Sequence, residues 1–171
     1  INEEPDSTLG YVALARWFLA AGAPKDCLLQ LDKAIQNAKD PLQDPLLIAT
    51  IIRALDDLGK IDEAAKYFAQ WPGEKSGYEY WRAKGLIDHK YHRNLSEAIE
   101  AYEKAKTIWP GPVDWRTWNL LSNCQRENGQ ATEAAADNHH AGRLFGDSAH
   151  PHIRLREGVR VRPPTPPADA R

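Results

Sequence analysis

Residues 94–110 read NLSEAIEAYEKAKTIWP, and this stretch decides the fold. Asn94 and Glu97 stand three apart, a capping box in its asparagine variant, which opens a helix. Within that helix Ala98, Tyr102 and Ala105 fall at spacings of four and three, so they share one face. The small residue lets a neighbouring helix come close, and the large one fills the space beside it. A Trp-Pro pair at Trp109 and Pro110 ends the run.

Moving outward, the small residue recurs. Cys27, Ala64, Ala98 and Ala134 lie 37, 34 and 36 residues apart. Turn glycines after apolar helical runs fall at Gly22, Gly59 and Gly129, separated by 37 and then 70, close to two units of 35. Two independent markers give the same period, and a period of that length signals a stack of repeated supersecondary units.

Each unit has the same internal order. The first runs Tyr11, Leu14, Ala15, Phe18, Gly22, Cys27, Leu31, Ala34. The second runs Ile48, Ile51, Ile52, Leu55, Gly59, Ala64, Phe68. The third has Trp81, Lys84, Gly85, Ala98, Tyr102, Ala105 and Pro110, and the fourth has Trp118, Leu121, Ser122, Gly129, Ala134 and Ala141. The pattern resembles the tetratricopeptide repeat (TPR) signature over residues 8–146. The expected fold is therefore all-α: a TPR-like superhelix of about four antiparallel hairpins, near 7–40, 44–72, 77–110 and 114–146. The resemblance also supplies a right-handed sense. Residues 1–146 form the repeat domain, and 147–171 are expected to be an extended, partly disordered tail around Pro163-Pro164-Thr165-Pro166-Pro167. Before the prolines, Ile153, Leu155, Val159 and Val161 alternate with arginines, a period of two that reads as extended chain.

The punctuation and the departures add detail. Asp44 followed by Pro45 is an N-cap with proline at the first helical position, and Asp114 is placed to cap the helix holding Trp118. The second unit reaches Trp71-Pro72 early, so its hairpin is expected to be short, with a looser connection at 72–77. In the third unit the turn Tyr91-His92-Arg93-Asn94 is one residue longer and lacks glycine, and Lys84 and Asp88 stand where apolar residues are expected. Asn138, His139 and His140 give the last unit a polar face, which suits a terminal repeat. The first hairpin has no such polarity, with Trp17, Phe18 and Leu19 in a row, so it is a candidate surface for self-association or for a preceding segment. The chain starts at Ile1 and has no Met, which reads as a processed product or a fragment of a larger protein.

Composition excludes several function classes. Twenty-two basic and 24 acidic residues leave a net charge of −2, without the basic excess of a nucleic-acid or membrane-surface binder. No apolar run approaches the roughly 20 residues a bilayer span needs. No phosphate loop, zinc-protease helix, Cys-x-x-Cys or nucleophile elbow is present, so no catalytic residue and no cofactor is assigned. Nothing in the chain marks a compartment. Cys27 and Cys124 belong to the first and fourth hairpins, too far apart for a disulfide, and read as reduced thiols, Cys27 in the core. Trp81 and Trp118 occupy the aromatic slot of their units and read as core, while Trp71 and Trp109 read as plugs at helix ends. The histidines, among them His89 and His92, lack the convergent ligands a metal needs and read as solvated.

The resemblance implies that the first helix of each hairpin lines a concave side, on the stripe just past the large aromatic position. Here that stripe is Val12, Arg16, Leu19; Ala49, Arg53, Asp56; Arg82, Leu86, His89; and Asn119, Asn123, Arg126. Arginine forks bind carboxylates bidentately, and asparagine amides can hold a peptide backbone. The candidate peptide-binding groove is Arg16, Arg53, Arg82, His89, Asn119, Asn123 and Arg126, with a partner protein or peptide of acidic or carboxylate-ending character. The Lys-x3-Arg pair that chaperone-binding tetratricopeptide proteins carry in the third hairpin is absent, so chaperone binding is not assigned. The expected function is thus a protein–protein interaction scaffold and not an enzyme. Two other readings stand beside it: an accessory domain of a larger enzyme, and an RNA-binding helical repeat, against which the near-neutral charge argues.

Overall fold

The computed structural model describes residues 8–108 and 115–137. The described residues include the helices α1 (Thr8–Ala20), α2 (Pro24–Asn37), α3 (Pro45–Asp57), α4 (Ile61–Ala69), α5 (Gly77–Ile87), α6 (Leu95–Ile108) and α7 (Trp115–Glu127). Residues 131–137 are also helical, and no strand occurs among the described residues. The helices pack in antiparallel pairs, α1 on α2, α3 on α4, α5 on α6, and α7 with 131–137, each pair stacking on the next. The expectations for Trp109, Pro110, Asp114, Asn138 to His140 and the tail lie outside the described residues.

The turns repeat because the same backbone closure repeats. Ala23 N–H donates to Phe18 O at 2.9 Å, Lys60 N–H to Leu55 O at 2.8 Å, and Gln130 N–H to Gln125 O at 2.8 Å. Each is the long bond of a glycine-ended helix, with Gly22, Gly59 and Gly129 at φ of 76°, 73° and 79°. The third turn carries its extra residue as a π turn over Asp88–His92. It is closed by Asn94 N–H on Asp88 O at 2.9 Å. Arg93 takes the left-handed position there, at φ 59°, without the freedom of glycine.

The caps are the ones the residues dictate. Asp44 Oδ1 accepts from Leu46 N–H at 2.8 Å, with Pro45 opening α3. Asn94 Oδ1 accepts from Glu97 N–H at 3.3 Å, and its amide donates to Glu97 Oε1 at 3.0 Å.

Two cores hold the stack. The larger draws Val12, Leu19, Cys27, Leu31, Leu47, Ile48, Ile52, Ala64, Leu86 and Ile87 from five successive helices. The smaller joins Ala98 and Tyr102 of α6 to Leu121 and Cys124 of α7, and Leu120 packs against both. Helix α3 is the centre: eight of its thirteen residues are buried. The recurring small residues are the tightest points, Cys27, Ala64 and Ala98 at 0% exposure and Ala134 at 4%.

The two polar intruders of the third unit satisfy one another. The Lys84 ammonium reaches both Asp88 and Glu97. Partial burial works against its charge, but those two hydrogen bonds outweigh it and raise its pKa. Trp118 is 8% exposed, as a core residue should be. Trp81 is only half-buried, its outer ring face covered by Lys104 at 4.4 Å, a cation–π contact that replaces part of the packing. Trp71 packs tilted against Phe68 of α4 at 6.1 Å and edge-on against Tyr80 of α5 at 5.5 Å, and so joins the short second hairpin to the third.

Both thiols are free and buried, Cys27 in the larger core and Cys124 in the smaller. Burial pushes each up to about 11 from an ordinary 9.0. An aromatic disulfide reagent at pH 8 is expected to label neither in the native protein and both in guanidinium chloride. Rapid native labelling would contradict the packing. The folded state holds these protons more tightly than the unfolded chain, so stability is full below about pH 9 and falls as pH rises toward 11.

Candidate interaction face

On a curved stack, non-adjacent hairpins approach one another only on the inner side. Two contacts of this kind locate it. Arg16 Nη1 on α1 meets Glu79 Oε1 on α5 at 3.2 Å, passing over α3. Arg116 on α7 donates to Leu19 O, the carboxyl end of α1, at 3.0 Å, and pairs with Asp57 Oδ2 on α3 at 3.4 Å. The first helices of the hairpins therefore form the inner wall, curved tightly enough for the fourth to touch the first.

The expected stripe falls into two groups on this wall. Arg16, Asn119 and Arg126 are exposed, and Arg53 and Asn123 are half-buried. Arg126 Nη2 donates to Asn123 Oδ1, and among the described residues Arg126 has no carboxylate partner. Arg82 and His89, by contrast, are buried at 6% and 4% exposure. Arg82 Nε donates to Thr117 Oγ1 at 3.2 Å, and the Tyr78 hydroxyl shares that same oxygen at 2.7 Å. His89 Nε2 lies 3.2 Å from Glu127 Oε2, while its Nδ1 is buried without a hydrogen-bond partner. His89 is thus an interior residue and not the solvated histidine its sequence context implied, because α7 closes over it. Val12, Leu19, Ala49 and Leu86 are buried too, so this part of the stripe is core.

Sequence reasoning missed Glu79, Arg116, Asp57 and Glu127. The signal was present: three residues upstream of Arg82 and Asn119, one more turn of the same stripe, stand Glu79 and Arg116. Including them changes the electrostatics. Arg16 faces Glu79, Arg116 faces Asp57, and Lys90 faces Asp56, so much of the wall's positive charge is answered within the chain.

Among the described residues no group of His, Cys, Asp and Glu converges as a metal site. Nor is any described helix long and apolar enough to cross a membrane.

Helices packed in successive antiparallel pairs, with a small buried residue at each crossing, define a TPR-like helical-repeat fold. No protein-family model matches the chain, and no curated protein matches it. Among solved structures, two crystal structures of MamA are similar to it, each with a TM-score of 0.52. One shares 18% identity over 82% of this chain and 80% of that chain, the other 17% over 94% and 81%. At such identity the likeness is one of fold.

Proposed function

We propose that this chain is a protein-interaction scaffold module that takes an extended, carboxylate-bearing segment of a partner along its inner wall. Arg126 carries the reading: its guanidinium stands exposed against the Asn123 amide, on the same helix as exposed Asn119, with no carboxylate of its own among the described residues. Arg16, at the other end of the wall, is held by Glu79 in a pair whose side chains are 41% and 28% exposed. Such a pair contributes about 0–1 kcal/mol. A ligand carboxylate can exchange for Glu79 at little cost. Arg53 borders the path, and Arg82 and His89 support it from beneath.

The test uses fluorescein-labelled acidic peptides with a free C-terminal carboxylate. Affinity is expected to fall with salt, and Arg126→Glu combined with Arg16→Glu to weaken binding about tenfold or more, the loss of two charge-assisted contacts. Equal binding by the double variant removes the proposal.

A specific observation favours a second surface, for self-association. Helix α1 carries one charge, Arg16, in thirteen residues and exposes Leu9, Leu14 and Trp17 at 63%, 43% and 61%. Isolated exposed apolar residues are ordinary, but several on one helix form a patch of the kind interfaces use. Sedimentation velocity is expected to show a concentration-dependent dimer that Trp17→Glu abolishes. A monomer at all concentrations rules this surface out as a self-contact.

A further inference from the structure

A second concavity lies where the short hairpin meets the third. Its volume is about 390 Å³, and it is walled by Pro45 and Leu46 at the start of α3, Trp71 and Pro72 in the connector, and Tyr78 and Tyr80 of α5. The walls are fixed: Tyr80 packs edge-on against Trp71 at 5.5 Å and stacks on Phe68 at 5.7 Å. The charged residues bordering it are both acidic, Glu74 and Glu79. Among the described residues the buried Trp71 indole N–H has no acceptor.

A cleft of aromatic rings and prolines with an acidic rim suits one kind of ligand. Proline-rich segments in the polyproline II conformation dock in aromatic-lined grooves, because their backbone is already ordered before binding. This chain carries such a segment itself. Residues 163–167 are Pro-Pro-Thr-Pro-Pro, preceded by Arg160 and Arg162. Five residues of polyproline II span about 15 Å. Residues 138–162 separate the prolines from the described helices and reach up to about 80 Å when extended. A domain of this size is about 40 Å across, so every point on the surface lies within reach. A tethered ligand of this kind acts at an effective concentration of order millimolar.

We propose that residues 163–167 of the chain occupy this cleft, the prolines against Trp71, Tyr78 and Tyr80 and the preceding arginines toward Glu74 and Glu79. The tail then serves as an intramolecular ligand at the junction of the second and third hairpins. This site is independent of the inner-wall reading, since it lies on different residues apart from Glu79.

The experiment follows the Trp71 indole N–H resonance of the 171-residue chain, assigned with Trp71→Phe. Substituting Pro163→Ser, Pro164→Ser, Pro166→Ser and Pro167→Ser together is expected to shift that resonance while the melting temperature stays within about a degree or two. A synthetic peptide of residues 159–169 added to this variant at millimolar concentration is expected to restore the original position, and Glu74→Lys to weaken that peptide several-fold. A resonance unmoved by the four substitutions overturns the proposal. So does a shift that depends on protein concentration, which places the tail on a second copy, or a peptide that perturbs all six tryptophans alike.

Discussion

Replacing Gly85 with alanine is expected to lower the melting temperature by roughly 4–8 °C, a loss of about 2 kcal/mol for a chain of this length. An alanine Cβ at this position meets the Tyr102 ring at 2.6 Å from Cδ1 and 2.7 Å from Cε1, about an ångström inside contact. In an open helix the same change stabilises by about 1 kcal/mol, since glycine is a poor helix former. Here overpacking wins, because the ring cannot retreat. Tyr102 is wholly buried, and His89 packs edge-on against it at 6.4 Å. Burial also pushes its phenol well above the usual range, so the group stays neutral. In a Tyr102→Leu background the sign is expected to reverse, with Gly85→Ala neutral or stabilising, a direct measure of the coupling. Thermal denaturation of the four proteins in this cycle decides it. Additive effects in the cycle mean that the ring is not what excludes the methyl.

Ile52→Ala is expected to cost about 3 kcal/mol, toward the middle of the range for deleting a buried aliphatic side chain. Ile52 is completely buried on α3, whose neighbours are α1, α2, α4 and α5. Repeat arrays derive stability from units and the interfaces between them. A cavity in the central first helix weakens both interfaces at once, so urea unfolding should lose cooperativity as well as midpoint. Leu29→Ala serves as the control, since Leu29 on α2 is 54% exposed and its truncation is expected to change stability by less than about 0.5 kcal/mol. An Ile52→Ala loss no larger than that of the control contradicts a shared central core.

Much of the fold was legible in single residues. Cys27, Ala64, Ala98 and Ala134 read as crossing points, and each is buried at a helix contact. Asp44 and Asn94 read as caps and do cap. The extra residue in the third turn was countable, although its absorption as a π turn with Arg93 left-handed was not. Depth along the candidate stripe was not legible. Arg82 and His89 belong to the stripe by spacing, yet Thr117 and Glu127 of α7 turn them into interior residues. Trp81 held a core slot by pattern and is half-covered by a lysine instead.

The sequence by itself determined that the chain is helical, where turns such as those at Gly22, Gly59 and Gly129 and caps such as Asp44 and Asn94 fall, and which positions of each helix are buried small residues. These properties are set between residues within a turn or within one hairpin, where spacing and cap chemistry record them. Tertiary structure alone decided how tightly the hairpins curve, and therefore which inward residues are wall and which are floor. Pairs such as Arg16 with Glu79 and Arg116 with Leu19, 63 and 97 residues apart, mark that curvature. No local period carries contacts of that range, because they arise only when the summed packing of every intervening interface has placed the two ends together.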